Sequence, residues 1–525
     1  MISLLKKLVG KKRKPNIREA STDQLKNIKL TANIDDNISR LKITMSSSYD
    51  IVTRELEIGA HGIRAALIYI DNLVNSIVVQ DNILRPLTIY SLNEPKGPGR
   101  IDINKLKDSM ISIGEIKEAE SFDDIVLAIL SGNVFLCIQG YDKGLLIGAK
   151  YYHGRTIGEP NTESSIRGPQ ESFVEILKVN IGLIRRRLRD PNLAIDAFKI
   201  GKRAKSDLAI AYIRGLADPE IVEQIKQRVL KLDLDGQISA IQIGQMILDN
   251  PNSIFPMSQI TERPDKVVSA LMDGRVMLLL EGAPDALLLP VTLPILMQSA
   301  DDYFESWIIS SFIRISRYMC LFISTLFPAS YIAIATFNPG MLPTNLALSM
   351  AANRAGVPFT AAIEALIMEF TIEILQEAGV RLPKVIGQTV SIVGGLVIGQ
   401  SAVQAGLVGP IMVIVVALTA LASFTIPDYS LGLATRFLRL PFIILAISFG
   451  GFGIAIGMLT LITYLSSLKS FGIRYLAPIT PFNLKDWTDT LIRGSNPGQN
   501  KRPEFLKTQA RGKSKALKEA KADEG

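Results

Sequence analysis

The sequence has very few of the residues on which metal and catalytic chemistry depends. It holds two histidines and two cysteines among 525 residues. His61 and His153 each stand alone, without a second His, Cys or acidic residue at a metal-ligand spacing. Cys137 and Cys320 both lie in apolar stretches, so each is predicted to be a small buried side chain, and no disulfide is expected.

Signature motifs of enzymes are also missing. There is no G-x-S-x-G elbow and no dinucleotide-binding fingerprint. The glycine-bearing run at 144–150 lacks the spacing of a phosphate loop and the Ser or Thr that follows one. The sequence therefore predicts a protein that is not an enzyme and that binds no metal and no cofactor.

Charge is absent from long stretches of the second half. Residues 318–337, 385–427 and 440–468 carry no charged side chain. About 20 apolar residues suffice to cross a bilayer, so an all-α polytopic membrane domain is predicted there. The N-terminus lacks the long apolar core and cleavage site of a signal peptide, which predicts that the first half stays in the cytosol.

The first half shows strand and helix patterns that occur twice. An alternating run at 51–58 and an apolar run at 63–70 predict strands, and Ser121 is placed to cap a helix at 122–130. Residues that recur at an offset of 142 or 143 are Gly132 with Gly274, Gly140 with Gly282, and Tyr69-Ile70 with Tyr212-Ile213. Matching glycines at a fixed spacing indicate matching turns. The pattern predicts a duplicated α/β region of two similar subdomains, with a chance match between short apolar strands as the alternative.

On these grounds the chain divides into seven predicted parts. They are a basic flexible arm (1–45), a first α/β subdomain (46–160), a linker helix (161–190), a second α/β subdomain (191–295), an interfacial amphipathic segment (296–316), a transmembrane domain (317–468) and a basic C-terminal tail (469–525). Both basic ends suit an anionic partner. Because the same chain carries a membrane domain, lipid is favoured over nucleic acid.

One helix in the apolar half is acidic. Glu364, Glu369, Glu373 and Glu377 lie in the otherwise apolar stretch 359–383. At about 100° per residue the last three fall on one stripe, and Glu364 lies well round the helix from it. Carboxylates are costly in a membrane. Two interpretations stay open: a pore or coupling site, and an interfacial helix whose glutamates are solvated.

Small residues mark the next apolar stretch, which is too long for one crossing and is predicted to be two helices folded near 404–406. Its first half carries candidate packing residues, Gln388, Gly394, Gly395, Gly399 and Gln400. Charge counts leave the side of the C-terminal tail open. Five crossings place the tail outside, and a re-entrant acidic helix returns it inside.

A polar motif separates the two predicted subdomains. It reads E-P-N-T-E-S-S-I-R-G-P-Q-E-S-F at 159–173 and leads into a helix that ends with Arg185, Arg186 and Arg187. The basic end complements the helix dipole. A solvated helix end is the favoured interpretation, and a grip on lipid phosphates or on a partner's acidic groups is the alternative.

Five segments together carry a resemblance to a known family. They are E-P-x-x-E-x-x-I-R-G-P-x-E-x-F at 159–173, L-I-R-R-R-L at 183–188, N-P-G at 338–340, E-I-L-x-E-A-G-V-R-L-P at 373–383 and G-Q-x-V-S-I-V-G-G-L-V-I-G-Q at 387–400. Over residues 45–485 the chain closely resembles the A subunit of spore germinant receptors, the GerA family. The signature residues are Glu159, Arg167, Gly168, Pro169, Arg185, Arg186 and Arg187.

The resemblance implies a multi-pass protein of the spore inner membrane, with its N-terminal region on the cytosolic, spore-core side. It implies a homo-oligomer that works with a nutrient-binding B subunit and a lipoprotein C subunit, and that conducts cations. Glu364, Glu369 and Glu373 are then expected to attract monovalent cations. Arg354 or Arg381 is expected to pair with a neighbouring glutamate in a closed state.

A second group of proteins also resembles this pattern. It contains the spore membrane protein that is encoded with the dipicolinic-acid channel, and this membrane protein assists the release of dipicolinic acid. The alternative function is therefore a non-conducting membrane scaffold or signal relay of the spore.

Overall fold

The computed structural model of the chain describes residues 28–58, 62–93, 103, 106–151, 158–160, 162–163, 165, 167–235, 239–382, 395, 397–483, 486–494, 502–509 and 512. The strands are β1 Ile51–Ile58, β2 Ile63–Ile70, β3 Ile116–Ala119, β4 Asn133–Ile138, β5 Gly144–Gly148, β6 Leu193–Ile200, β7 Ser206–Ile213, β8 Gln259–Thr261, β9 Val276–Leu280, β10 Ala286–Leu289, β11 Lys469–Ser470 and β12 Ile473–Arg474.

Helices precede, separate and follow the strands. They are α1 Ile34–Thr44, α2 in the three joined pieces Ser76–Val78, π-helical Val79–Leu84 and Arg85–Asn93, then α3 Phe122–Leu130, α4 Leu177–Arg187, α5 Pro219–Leu230, α6 Ala240–Ile247, α7 Pro264–Met272, α8 Leu293–Leu296, α9 Trp307–Thr336, α10 Thr344–Arg354, α11 Ala361–Arg381, α12 Pro410–Phe424 and α13 Tyr429–Ser467. A further helical stretch covers 397–404. Short pieces are π-helical Leu106–Met110 and 3₁₀ turns at Ala300–Tyr303, Pro339–Met341, Trp487–Asp489 and Glu504–Leu506.

The first α/β unit is an antiparallel five-stranded sheet with helices on both faces. Its strand order is β1-β2-β4-β5-β3. Helices α1 and α3 cover one face, where Ile34 and Ile125 contact the side of the sheet that holds Phe135. Helix α2 covers the other face through Ile83 and Leu87. The sequence predictions of strands at 51–58 and 63–70 and of a helix at 122–130 are confirmed.

The second α/β unit has the same strand order, β6-β7-β9-β10-β8, and is also antiparallel. Helices α4 and α7 lie on one face and α5 and α6 on the other. Gly132 and Gly274 have φ angles of 89° and 86°, and Gly140 and Gly282 have φ angles of 87° and 82°. The glycines aligned in the sequence therefore adopt the same left-handed backbone, which other residues rarely reach.

The N-terminal arm ends earlier than predicted. Helix α1 begins after the cap residue Asn33, and it buries Ile34, Ile38 and Leu41 under the first sheet. A spacing of three to four residues between apolar side chains is typical of a surface helix. The many polar residues around them made this period hard to recognise in the sequence. The predicted arm at 1–45 is wrong for residues 28–45; residues 1–27 lie outside the described part of the chain.

A helical region follows the two units. By length and composition, α9 and α13 can each cross a membrane, whereas α12 is apolar but shorter; the test covers the described residues alone. Helix α9 exposes large apolar side chains along its outer face, namely Ile308, Phe312, Ile315, Met319 and Phe322. Such a face suits an apolar solvent.

Helix α13 reverses direction at Gly450, whose φ of 60° and ψ of −140° interrupt it. A Cβ added at Gly457 would lie 2.8 Å from both Phe442 and Leu445, positions that a straight helix would hold far away. The two arms, 429–449 and 451–467, are about 31 and 25 Å long at 1.5 Å per residue. The structure therefore has a helical hairpin at this position.

The helical region has a proximal end beside the second α/β unit and a distal end away from it. At the proximal end Ile426, Leu431 and Leu465 pack with Phe255 and Val291 of that unit. At the distal end Phe337, which follows α9, lies against Gly450. Both arms of α13 therefore run between the same two ends as α9.

The segment after α13 is packed and is not a free tail. Strands β11 and β12 form a small hairpin, and Phe471, Ile473 and Leu506 are buried in the core of the second unit. The predicted tail at 469–525 is therefore wrong for residues 469–483, 486–494 and 502–509. A few apolar side chains spaced among polar ones gave no regular period from which this docking could be predicted.

Candidate functional site

The acidic helix α11 presents two of its glutamates to the protein interior and two to the outside. Glu364 and Glu369 are 1% and 5% exposed, whereas Glu373 and Glu377 are exposed. Glu369, Glu373 and Glu377 span about 80° around the helix axis. The boundary between the buried and the exposed side of α11 falls within this span. Thus Glu369 lies on the buried edge of the stripe.

Glu369 forms a buried ion pair with Arg439 of the first α13 arm. The Arg439 Nε also donates to the carbonyl oxygen of Ser324 in α9 at 2.8 Å. Glu369 Oε2 and Arg439 Nη2 have no hydrogen-bond partner among the described residues. One ion pair thus joins α9, α11 and α13 in the middle of the helical region.

Glu364 is held at the distal end of the same helix. Its Oε2 accepts a hydrogen bond from the backbone N–H of Gly409 at 2.8 Å, at the start of α12. Its Oε1 lies 3.5 Å from Nε of Arg354. This is the pairing with Arg354 that was predicted as one possibility.

The two exposed glutamates also contact arginines. Glu373 Oε1 lies 2.5 Å from Arg436 Nη2, and Glu377 Oε1 lies 2.6 Å from Arg381 Nη2 one turn along α11. All four acidic side chains of α11 therefore face a guanidinium group. Sequence reasoning missed Arg436 and Arg439, because their partners lie 63 and 70 positions away.

The predicted packing glycines are only partly described. Gly394 and Gln388 lie outside the described residues. Gly395 and Gln400 are exposed, and Gly399 is buried, with an added Cβ 3.6 Å from Val413 of α12. Gly399 thus packs two segments of one chain together.

The linker motif contacts the segment just before α9. Arg167 lies 3.0 Å from Glu305, and Ser165 Oγ donates to Asp301 Oδ1 at 2.5 Å. Gly168 has a φ of 117°, and an added Cβ would lie 2.6 Å from Phe304. The described residues of the motif therefore form a strap between the second unit and the base of α9.

Two other signature residues support or flank this strap. The carbonyl oxygen of Pro169 accepts a hydrogen bond from the buried Arg263 at 3.2 Å. Glu159 is exposed. Pro169 thus anchors the strap to the start of α7.

A buried acid at the base of α9 binds two arginines of that helix. Asp302 Oδ2 lies 3.0 Å from Arg314 Nε, and Asp302 Oδ1 lies 2.9 Å from Arg317 Nη2. Burial raises the pKa of Asp302, but the hydrogen bonds and charges of Arg317 and Arg314 outweigh it and hold the pKa below its usual value. Arg314 Nη1 also lies 2.9 Å from Asp489 of the C-terminal segment.

The arginines that end α4 are not a solvated helix end. Arg185 is 1% exposed, and its Nε and Nη2 donate to the two oxygens of Asp50 at 2.8 and 3.0 Å. Arg186 and Arg187 both bind Glu171. Burial raises the pKa of Glu171, and these two guanidinium groups bring it below its usual value. The solvated interpretation is wrong, because acids distant in the sequence fold onto this helix.

Among the described residues, no group of three or more His, Cys, Asp and Glu side chains is placed to hold a metal ion. The acidic helix α11 and its arginine partners form ion pairs, most of them between helices. It contains no nucleophile beside a base in the described contacts of α11.

Comparison with known proteins assigns the chain to a family. The family model described as Bacillus/Clostridium GerA spore germination protein matches residues 39–505. The uncharacterized membrane protein YfkQ of Bacillus subtilis (strain 168) is 41% identical over 475 residues, which cover 90% of this chain and 91% of that protein. Spore germination protein KA of Bacillus subtilis (strain 168) is 38% identical over 471 residues, which cover 90% of this chain and 86% of that protein.

A solved structure is also similar in sequence. It is the crystal structure of the N-terminal domain of the A subunit of the Bacillus megaterium spore germinant receptor GerK3, with 25% identity and a TM-score of 0.39. The similarity covers 50% of this chain and 96% of that domain. On the family match and the two Bacillus subtilis relatives, this chain belongs to the GerA family of spore germination proteins.

Proposed function

We propose that this chain is the A-type membrane subunit of a spore nutrient-germinant receptor. It forms a homo-oligomer with B and C partner subunits and provides a gated pathway for monovalent cations. The observation that carries the proposal is that each of the four glutamates of α11 contacts an arginine. This is a neutralised acidic helix inside an apolar region.

The pairing explains how such a pathway stays closed. An unpaired carboxylate in an apolar region is costly and attracts cations. An arginine beside it removes both effects. If an incoming signal moves α13 relative to α11, Arg439 leaves Glu369 and uncovers a carboxylate for a cation. The orphan atoms Glu369 Oε2 and Arg439 Nη2 support a pair that is not fully satisfied in this state.

The proposal includes a duplicated α/β region and a polytopic membrane domain. The equal strand orders and the four glycines with matching φ angles support duplication. Six passes are proposed for the helical region. Five are the described helices α9, α11, α12 and the two arms of α13, and the sixth follows because α11 ends toward the proximal end whereas α12 begins at the distal end. Five crossings were one of the two arrangements that the sequence left open, and six is one more because α13 is a hairpin.

Six passes return the C-terminal segment to the side of the α/β units. Glu364 lies beside Gly409 at the distal end, and Glu373 lies beside Arg436 toward the proximal end, so α11 runs back toward the α/β units. Arg381 and Arg436 then lie on the proximal side. By the positive-inside preference this side is the cytosol, which in the spore inner membrane is the core.

Cation flux tests the function directly. Proteoliposomes carry the full chain, alone and with its B and C partners, and efflux of potassium or sodium is recorded before and after nutrient. Glu369→Gln is compared with Glu377→Gln, since Glu377 forms its ion pair, among the described residues, with an arginine of its own helix. We expect nutrient-dependent flux with the partners, and at least a several-fold change for Glu369→Gln.

Glu377→Gln is the control for this experiment, and an absence of flux is the result that would contradict the proposal. Glu377→Gln is expected to keep nearly wild-type flux, because its ion pair is exposed at one end of α11 and contributes little. If correctly assembled wild-type complexes pass no cations with nutrient present, the chain does not conduct and the pathway proposal fails.

A non-conducting scaffold or signal relay is the second candidate. It is favoured by the burial of Glu369, which is 5% exposed and pairs with an arginine of its own chain. On this account Glu369→Gln lowers the amount of assembled complex and leaves the flux per assembled complex unchanged. Measuring assembly and flux on the same sample separates the two functions.

A further inference from the structure

The β11–β12 hairpin places two positive charges directly opposite each other. The hairpin starts two residues after α13 ends, and its register pairs Lys469 with Arg474. Both side chains are exposed, whereas Ser470 and Ile473 point into the core. Within the described part of the chain, neither cation forms an ion pair or a hydrogen bond through its side chain.

Such a pair is unfavourable by itself. Directly opposite residues of an antiparallel pair have Cβ atoms about 5 Å apart, and like charges at such positions destabilise the hairpin. An anion bound between the two side chains attracts both of them, so that the arrangement becomes favourable. The arrangement therefore suits a negatively charged group that both cations reach.

The hairpin is held in place by several contacts, which keep the backbone positions of Lys469 and Arg474 opposite each other. Phe471 is 2% exposed although its φ is +49°, a strained value for a bulky residue. The Arg228 guanidinium lies 4.7 Å from the centre of its ring. The N–H of Gly472 donates to Asp249 at 3.3 Å, and Ser470 Oγ donates to the carbonyl oxygen of Met257 at 2.9 Å.

The position of the hairpin identifies the source of the anion. It follows the end of the apolar arm 451–467 and lies at the proximal end of the helical region. Tyr464, three residues before the end of this arm, is half-buried against Phe255 of the second unit, so this end of the arm lies where the apolar helix meets the α/β unit. If α13 crosses the bilayer, the hairpin lies at the level of the lipid headgroups.

We propose that Lys469 and Arg474 together bind the phosphodiester of an anionic phospholipid. This site rests on the proposed membrane crossing of α13 but not on cation conduction. The lipid neutralises the like-charge pair and fixes the junction between α13 and the second α/β unit.

Lipid-dependent stability tests the site. The full chain is purified in a neutral detergent, and its thermal unfolding midpoint is measured with phosphatidylglycerol, phosphatidylcholine or inorganic phosphate added. Lys469→Gln with Arg474→Gln is compared with a charge-matched control, Lys199→Gln with Lys231→Gln, both on exposed positions of the second unit. If the first double variant fails to fold, the single Lys469→Gln replaces it.

We expect phosphatidylglycerol to raise the wild-type midpoint more than phosphatidylcholine does. The Lys469/Arg474 double variant should lose at least half of that difference, and the control should keep it. Two results overturn the proposal: a double variant that keeps the whole difference, or inorganic phosphate that matches phosphatidylglycerol.

Different experimental results would disprove the lipid site and the cation pathway. A lipid effect without nutrient-dependent flux leaves this site standing and removes only conduction. Recovery of the folded chain from membranes by an alkaline wash, without detergent, removes the membrane crossing and this site with it.

Discussion

At the scale of single residues, the main feature of this chain is the pairing of its charged side chains. The positions of Glu364, Glu369, Glu373 and Glu377 were predictable, because acidic residues stand out in an apolar run. Their partners were not, since Arg436 and Arg439 meet α11 only through the packing of α13. The same holds for Arg185, whose partner Asp50 comes from 135 positions earlier. Sequence patterns locate such charges, and tertiary contacts decide whether they are paired.

The Asp302 cluster makes stability depend on pH. Because the folded pKa of Asp302 lies below its ordinary value of about 4, the folded state favours the ionised carboxylate. The stabilisation is fully present above pH 4 and is lost as the pH falls through the folded pKa. We expect Asp302→Asn to lower the unfolding midpoint of the detergent-purified chain at pH 7, by an amount that shrinks below pH 4.

Unfolding scans of wild type and Asp302→Asn from pH 7 to pH 3 check this expectation. Asp36→Asn is a control, because that carboxylate is only partly buried and pairs with Arg40 one turn along α1, with a long hydrogen bond from Thr31. An Asp302→Asn effect that stays constant down to pH 3 would contradict the assigned charge state.

At the scale of single elements, strands were easier to predict than the helical hairpin. The runs at 51–58 and 63–70 alternate or are uniformly apolar between turn residues, and β1 and β2 match them. The apolar run at 440–468 has no such boundary. Its length suits one tilted crossing with a bend, and only contacts such as Gly457 with Phe442 reveal the reversal.

The reversal depends on Gly450 in a way that its neighbour does not. An added Cβ at Gly450 would lie 2.8 Å from Phe337 on a backbone with φ of +60°, whereas at Gly451 the nearest atom is 3.9 Å away, on Asn338. We expect Gly450→Ala to destabilise the folded chain by about 1–3 kcal/mol and Gly451→Ala to be nearly neutral.

The unfolding midpoint and the monodisperse fraction of the two alanine variants in detergent measure this difference. Equal losses for Gly450→Ala and Gly451→Ala would show that the turn tolerates a side chain. The hairpin geometry would then need revision.

On the scale of the whole molecule, the order of the parts was predictable and their joints were not. Composition separated the α/β half from the apolar half, and glycine spacing indicated two similar units. These parts are joined at the base of α9 by the strap (described at 158–160, 162–163, 165 and 167–169), by the Asp302 cluster, and by the C-terminal segment (described at 469–483 and 486–494). These joints use ion pairs and a few buried apolar side chains from residues far apart in the sequence, so no local periodicity predicts them.

The cation pathway and the lipid site both require one arrangement: the helices cross a bilayer, with the α/β units and the C-terminal segment on the same side. Site-directed labelling measures it. In a chain with Cys137→Ser and Cys320→Ser, single cysteines are introduced as Lys231→Cys, Met341→Cys and Ile492→Cys, all at exposed positions. A membrane-impermeant maleimide is applied to intact and to permeabilised cells.

We expect Met341→Cys to be labelled in intact cells, and Lys231→Cys and Ile492→Cys to be labelled only after permeabilisation. Labelling of Ile492→Cys in intact cells, with Lys231→Cys protected, would place the two ends of the chain on opposite sides of the membrane and contradict six passes.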